Sequence, residues 1–328
     1  MISPENLKLL KRQKYRVAGK HSAVQICRWT KNSLTGKGEC YKYQFYGIPS
    51  WRCCEISPAA VWCDNHCLHC WRAIEATQGN KMPTKDIDSP KKIIEECIKG
   101  RKLLMSGFGG HDTLNSKRYK EAQEPSHFAI SLIGEPTLYP KIGEMIAELR
   151  KDARTSFIVS NGLHPEVFKK LDKKKQLPTQ LYISLNSSNK EEYDAWHKSS
   201  KKNAWKIYNK SLDLMNKFTK KGKRTILRMT IARDKNIDEK HIKEFASIIK
   251  KANPLFVEIK SYMPLGYARA RMGYDAMLTN VEIRKFSRAL AKELGKSYGI
   301  LDEHYPSRIC LVGKKKDKKR MKIKTKEI

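Results

Sequence analysis

The residues with the most chemical content lie in one run, Trp62-Cys63-Asp64-Asn65-His66-Cys67-Leu68-His69-Cys70-Trp71. Three residues separate Cys63 from Cys67, and two separate Cys67 from Cys70. Thiolates are soft ligands that suit zinc or iron–sulfur centres. A cube of four irons takes an outer ligand on each iron, usually from four cysteines. Three cysteines at this spacing leave one iron open, and an open metal position marks catalysis rather than structure. The alternative is a zinc site completed by His66 or His69. The run follows an apolar stretch directly, the context of an enzyme loop, which favours the cluster.

A second set is more diffuse. Cys27, Cys40 and Cys53 are each separated by twelve residues, in a segment with few apolar residues of its own. A metal could organise such a segment. The alternative is a scatter of buried thiols, which behave as small hydrophobes. Cys54 adjoins Cys53 and blurs the assignment. Cys97, beside Ile93, Ile94 and Ile98, and Cys310, in Arg-Ile-Cys-Leu-Val, are expected in the core.

These residues need a frame. From about residue 56, short apolar runs alternate with amphipathic stretches, which predicts βα units around a parallel sheet. Six strands are predicted: 57–62, 127–133, 156–160, 180–185, 225–231 and 257–262. Helical stripes fall between and after them, such as Ile142, Met145, Ile146 and Leu149, or Ile283, Phe286, Leu290 and Leu294. Six units are too few for a closed eight-stranded barrel. The expected fold is therefore α/β, a partial barrel over residues 56–312. An irregular extension, 1–55, precedes it, and a polybasic tail, 313–328, follows. Like charges should keep that tail disordered.

In barrels the carboxyl ends of the strands carry the chemistry. Glu135, between Gly134 and Pro136, follows the second strand and is poised to accept hydrogen bonds from an ammonium group. The alternative is an acid favoured by a helix N-terminus. Asn161-Gly162 ends the third strand, Lys260, Ser261 and Tyr262 close the sixth, and Asn236 follows the fifth.

The 328-residue chain carries 67 Lys+Arg against 34 Asp+Glu, a net charge of +33. Such an excess attracts polyanions, nucleic acid first among them. Hydrophobic residues make up 40% of the chain, which excludes wholesale disorder. No apolar run is long enough to span a membrane. The start has no apolar secretory segment, so a cytoplasmic protein is expected. Nine cysteines, an odd number, argue against a disulfide framework in such a chain.

The Cys63/Cys67/Cys70 motif resembles that of radical S-adenosylmethionine (SAM) enzymes, which have a (β/α)6 partial TIM barrel. Further motifs resemble the 4-demethylwyosine synthase family in its short archaeal form, without a flavodoxin-like domain. They are Cys40–Ile48 (CYKYQFYGI), Val61–Cys63, Cys70–Arg72, Ser131–Pro140 (SLIGEPTLYP), Val159–Gly162, Leu181–Leu185 and Glu258–Met263 (EIKSYM). The resemblance covers about residues 5–312. It implies a [4Fe-4S] cluster on Cys63, Cys67 and Cys70 whose open iron chelates SAM. Gly134, Glu135 and Pro136 would meet the methionine amine. Ser160, Asn161, Ser184, Asn186, Arg228 and Thr230 would line the rest of the SAM pocket. Family members often have Asp where this chain has Asn186. Cys27, Cys40 and Cys53 would hold a second [4Fe-4S] cluster that binds pyruvate, with Lys42 engaging it. An electron from an external donor would cleave SAM to a 5′-deoxyadenosyl radical. The radical would act on 1-methylguanosine beside the anticodon of tRNA-Phe, and pyruvate would supply two carbons. The anticodon stem-loop would be held by basic patches at Arg12–Arg16, Arg101–Lys102, Lys117–Arg118, Lys198–Lys206, the tail and, above all, Arg269 and Arg271. A monomer is expected. The alternatives are another radical SAM tRNA-modifying enzyme and a zinc-dependent RNA-binding module.

Overall fold

The computed structural model describes all 328 residues. The chain opens with α1 (Pro4–Arg12), β1 (Arg16–Ala18), β2 (Ser22–Gln25), α2 (Arg28–Leu34), α3 (Tyr41–Tyr46) and β3 (Cys53–Ser57). Next come α4 (Pro90–Met105), α5 (Ser116–Ala122), β4 (His127–Ile130), α6 (Ile142–Lys151), β5 (Thr155–Ser160), α7 (Pro165–Lys173) and β6 (Gln180–Ser184). It continues through α8 (Lys190–His197), α9 (Ala204–Lys220), β7 (Thr225–Ile231), α10 (Glu239–Ala252) and β8 (Phe256–Ser261). Last come α11 (Ala268–Met272), α12 (Asn280–Leu294), β9 (Tyr298–His304) and β10 (Ile309–Lys314).

One sheet runs β1-β2-β3-β4-β5-β6-β7-β8-β10-β9. β3 to β8 pair in parallel, joined by the crossovers that parallel pairing requires. β1–β2 and β9–β10 flank them as antiparallel ribbons. The result is the six-unit partial barrel anticipated from the alternation, with a closing antiparallel element at residues 298–314.

Side chains alternate across the strands. Ile158, Ile183, Leu227 and Val257 face the helices and join the main core. Phe157, Tyr182, Ile226 and Phe256 face the interior, where they pack with Phe45 and Tyr46 of α3. α3 therefore plugs one depth of the barrel. Its phenol Tyr46 donates to Glu258 Oε1 at 2.6 Å, and Tyr182 donates to the same oxygen at 3.1 Å.

Three expectations change. The first strand lies at Cys53–Ser57, not 57–62, because Pro58 has no N–H for the ladder and the following residues turn. Residues 1–55 are not an irregular layer: β1 and β2 extend the sheet, with Ala23 paired to Ser57. The basic tail is not free. Met321 is buried and Ile323 packs against the interior cluster. Buried Arg224 donates to the carbonyls of Arg320 and Met321 at 2.6 and 2.8 Å. Two apolar residues and a buried guanidinium outweigh the repulsion among exposed lysines. No helix is long and apolar enough to cross a membrane.

Deleting residues 315–328 should therefore lower stability by about 3 kcal/mol, given about 1.5–3 kcal/mol for burying Met321 alone. Thermal denaturation checks this, and an unchanged midpoint would show that the tail does not dock.

Candidate active site

At the carboxyl end of β3 the chain enters the loop that carries Cys63, Cys67 and Cys70. Backbone bonds tie it to distant elements. Cys63 N donates to Gly79 O at 3.0 Å, His66 N to His197 O at 2.9 Å and Leu68 N to Trp196 O at 3.0 Å. Arg271 grips the loop from the other side: Nε donates to Leu68 O at 3.1 Å, and Nη2 reaches Arg72 O at 3.1 Å as well as Cys70 O. All nine cysteines are free thiols. Burial pushes Cys63 up to about 12 and Cys67 well above the ordinary thiol range, where neighbouring Cys63 and Cys70 add to the effect. Such thiols give up their protons only to a strong competitor, and a metal is one.

The loop fits an iron–sulfur group better than zinc. No three His, Cys, Asp or Glu side chains converge closely enough for a single metal ion. A cube instead takes thiolates at separate corners. His69 Nδ1 already accepts Trp196 Nε1–H at 2.5 Å. Buried polar atoms crowd the same place without hydrogen-bond partners: both side-chain polar atoms of Asn65, Arg72 Nε and Nη1, Ser187 Oγ and Tyr193 Oη. Orphaned buried groups in a native fold call for a missing polar ligand or ion.

The strand-end residues surround this loop. Gly134 has φ +70°, and a Cβ there would lie 1.9 Å from Ala59 O. Glu135 is buried, which raises its pKa. Its Oε1 accepts Thr137 N at 3.0 Å, Thr137 Oγ1 at 2.6 Å and Ser160 Oγ at 2.8 Å, while Oε2 accepts Asn161 N at 2.7 Å. It thus staples the ends of β4 and β5 together, with Pro136 opening a short 3₁₀ turn. A carboxylate has about four acceptor sites, so Oε2 keeps room for one more donor. Ser184 ends β6. Asn186 Oδ1 accepts Thr230 N at 2.9 Å, a bond that either Asn or Asp can accept. Asn236 donates to Asn186 O and Thr230 O at 2.8 and 2.9 Å, so it braces the loop.

The second set also gathers. Cys27 caps α2 and Cys40 caps α3, each accepting a backbone N–H. Cys53 joins them from β3, and the charges of Cys27 and Cys40 bear on it. Register settles the neighbouring pair: Cys54 belongs to the core against α4, near buried Cys97, so Cys53 faces the interior. Glu55, two residues on, shares that face, with Lys42 and Arg228 the charges nearest it. Burial disfavours a charge on Lys42, while Cys53, Tyr41, Cys40 and Glu55 act the other way and on balance raise its pKa. Arg228 donates to Tyr41 Oη at 2.6 Å and pairs with Glu258 at 3.3 Å. It turns to α3 because its strand position shares the interior face with Glu258. Lys260, in register with Thr230, lies two residues beyond Glu258 on that face. Burial and Arg228 lower its pKa to about 8.

Two family models match successive stretches of the chain, the radical SAM superfamily over residues 58–246 and wyosine base formation over residues 251–314. An S-adenosyl-L-methionine-dependent tRNA 4-demethylwyosine synthase of Pyrococcus abyssi is 40% identical over 304 residues, covering 93% of this chain and 87% of that one. Its counterpart in Methanocaldococcus jannaschii is 35% identical, covering 95% and 96%. The chain belongs to the radical SAM tRNA 4-demethylwyosine synthase family. A solved structure of TYW1 with a lysine–pyruvate adduct bound is similar throughout, with a TM-score of 0.83, 35% identity and 99% of each chain covered. As a radical SAM synthase, the enzyme uses SAM and a [4Fe-4S] cluster.

Several cations expected to meet RNA serve the synthase fold instead. Arg101 is buried and donates to the carbonyls of Cys53, Trp51 and Ala122. Arg118 stacks 4.4 Å from the Trp51 ring and pairs with Glu39 at 2.5 Å. Arg271 spends its donors on the cysteine loop. Arg269 lies 5.2 Å from the Tyr274 ring, with Nε 3.4 Å from Pro264 O, and stays nearer solvent. Sequence reasoning missed Asp64, which is fully buried. His164, 100 positions away, meets its Oδ2 at 2.8 Å, Asn161 Nδ2 donates to the same oxygen at 3.1 Å, and Lys201 pairs with Oδ1 at 3.6 Å. The only signal was its place inside the cysteine motif.

Gly134→Ala should cost at least the ~1–3 kcal/mol of a side chain forced into left-handed backbone. The clash with Ala59 O should also distort the mouth. Thermal denaturation and SAM binding by the reconstituted synthase are expected to fall together, and normal SAM affinity would refute the tight fit.

Proposed function

We propose that this synthase converts 1-methylguanosine beside the anticodon of tRNA-Phe into 4-demethylwyosine, with pyruvate as the two-carbon donor. One observation carries the proposal: two separate cysteine sets and two lysines serve a single barrel. In this reading Cys63, Cys67 and Cys70 hold the SAM cluster, and Cys27, Cys40 and Cys53 hold a second one. Bound there, the SAM cluster supplies the electron that cleaves SAM. Glu135, through the free side of Oε2, accepts from the methionine ammonium. Ser160, Asn161, Ser184, Asn186 and Thr230 line the pocket from the ends of β5, β6 and β7. Arg228 holds α3, and with it Lys42, in register with the pocket. Arg269 meets the RNA backbone at the rim. The target base enters by extrusion from the anticodon loop, whose unpaired bases can splay out. The reaction is expected to need an external electron donor and to run on a monomer in the cytoplasm.

Pyruvate divides the two lysines. Lys42 engages it beside the second cysteine set. An amine with a raised pKa suits a carboxylate, whereas attack on a ketone needs a neutral amine. The lowered pKa of Lys260, about 8, favours a second reading in which Lys260 supplies the nucleophile and Lys42 the cation. Pyruvate trapped with borohydride and mapped by mass spectrometry separates them. An adduct on Lys42 supports the first, one on Lys260 the second, and none on either removes the lysine step. If Lys260 reacts, trapping should fall as the pH drops below about 8, because the amine gains its proton there.

The overall reading is tested with methylated tRNA-Phe, labelled pyruvate, SAM and a reductant. Label in the tRNA base is the expected result. Cys63→Ala should abolish SAM cleavage while iron on the second set persists. Cys27→Ala should leave SAM cleavage intact and remove the response of the spectrum to pyruvate. A Cys63→Ala enzyme that still cleaves SAM would refute the ligand assignment.

A further inference from the structure

The end of α8 does more than support the cysteine loop. His197 Nδ1 lies 3.1 Å from Cys67 Sγ, across 130 positions of sequence. The backbone sets this contact: His66 N donates to His197 O and Leu68 N to Trp196 O, so the residues on either side of Cys67 are locked to α8. The ring is nearly sealed from solvent, 4% exposed. Tyr193 lies against it at 4.4 Å between centroids, and His69 meets it edge-on at 6.2 Å.

We propose that His197 donates Nδ1–H to Cys67 Sγ and through that bond raises the reduction potential of the SAM cluster. The proposal rests on reading Cys67 as a cluster ligand. A ligating thiolate has no proton and only accepts. A neutral imidazole has one N–H, so the contact fixes it on Nδ1. Hydrogen bonds to cluster sulfurs are among the levers that set cluster potentials. Reduction adds negative charge to the cluster, so a donor aimed at sulfur stabilises the reduced state more than the oxidised one. His197 acts here through Cys67 and is a positioning residue. Arg271 grips the same loop only through backbone carbonyls. Among the contacts to this loop, His197 is the side chain that meets a ligand sulfur.

The test uses anaerobically reconstituted full-length enzyme and a redox titration of the paramagnetic signal that responds to SAM. His197→Phe keeps the ring and removes the donor. His197→Asn keeps an N–H close to the Nδ1 position. The expected result is a midpoint shifted to more negative potential in His197→Phe and restored toward the parent in His197→Asn, with iron content unchanged. Loss of iron in His197→Phe alone also supports the bond. An unchanged midpoint in both variants, equal shifts in both, or loss of iron from both would overturn it, since packing alone would explain each. Cys67→Ala separates the two levels of inference. If that variant keeps the SAM-responsive signal, the ligand reading itself fails. If it loses the signal while His197→Phe titrates like the parent, only the hydrogen-bond proposal fails.

Discussion

The alternation of side chains along six parallel strands is the constraint on which the rest of the structure depends. A strand buried on both faces must send one residue inward and the next outward. Here the outward set is aliphatic and seals the sheet against helices. The inward set is mixed: Phe157, Tyr182, Ile226 and Phe256 fill one depth, and Cys53, Glu55, Arg228, Glu258 and Lys260 bring chemistry to the same face. A slip of one residue in β3 would exchange Cys53 for Cys54 and bury Glu55 among the helices. The core therefore protects the register that the chemistry needs.

Buried charge in the interior persists because it is networked. Glu258 is fully buried, yet two phenols and a guanidinium share its oxygens. An unpaired carboxylate in that position would be prohibitively costly. The same network fastens α3, which carries Cys40 at its cap and Lys42 in its first turn. Stability and placement are one interaction here. At the mouth, Glu135 works similarly, joining the ends of β4 and β5 while keeping one acceptor site free.

The large positive charge separates into structural and free cations. Arg101, Arg118, Arg224 and Arg271 are tied to carbonyls, rings or acids and cannot be released to RNA without loss of structure. Arg269 and the exposed lysines are left for attraction and placement, where their contribution falls with salt. The tail belongs to both groups: Met321 and Ile323 hold it under the barrel, and its lysines still face solvent.

The sequence alone determined the fold class, the order of its six central strands and the cysteine motif. Each rests on local information: apolar runs, helical stripes and the spacing of a few residues. It also pointed to Glu135 and the strand-end residues, since motif and strand end coincide there, and the family resemblance pointed to Lys42. It could not decide between Cys53 and Cys54, because both share one strand and only register divides them. It placed Arg101 near RNA, because a charged residue in sequence shows neither its face nor its partner. Asp64, His164 and His197 escaped notice, and Lys201 was read only as part of a basic patch, for the same reason. Their partners lie about a hundred positions away, and pairing across that distance exists only once the sheet brings the strand ends together.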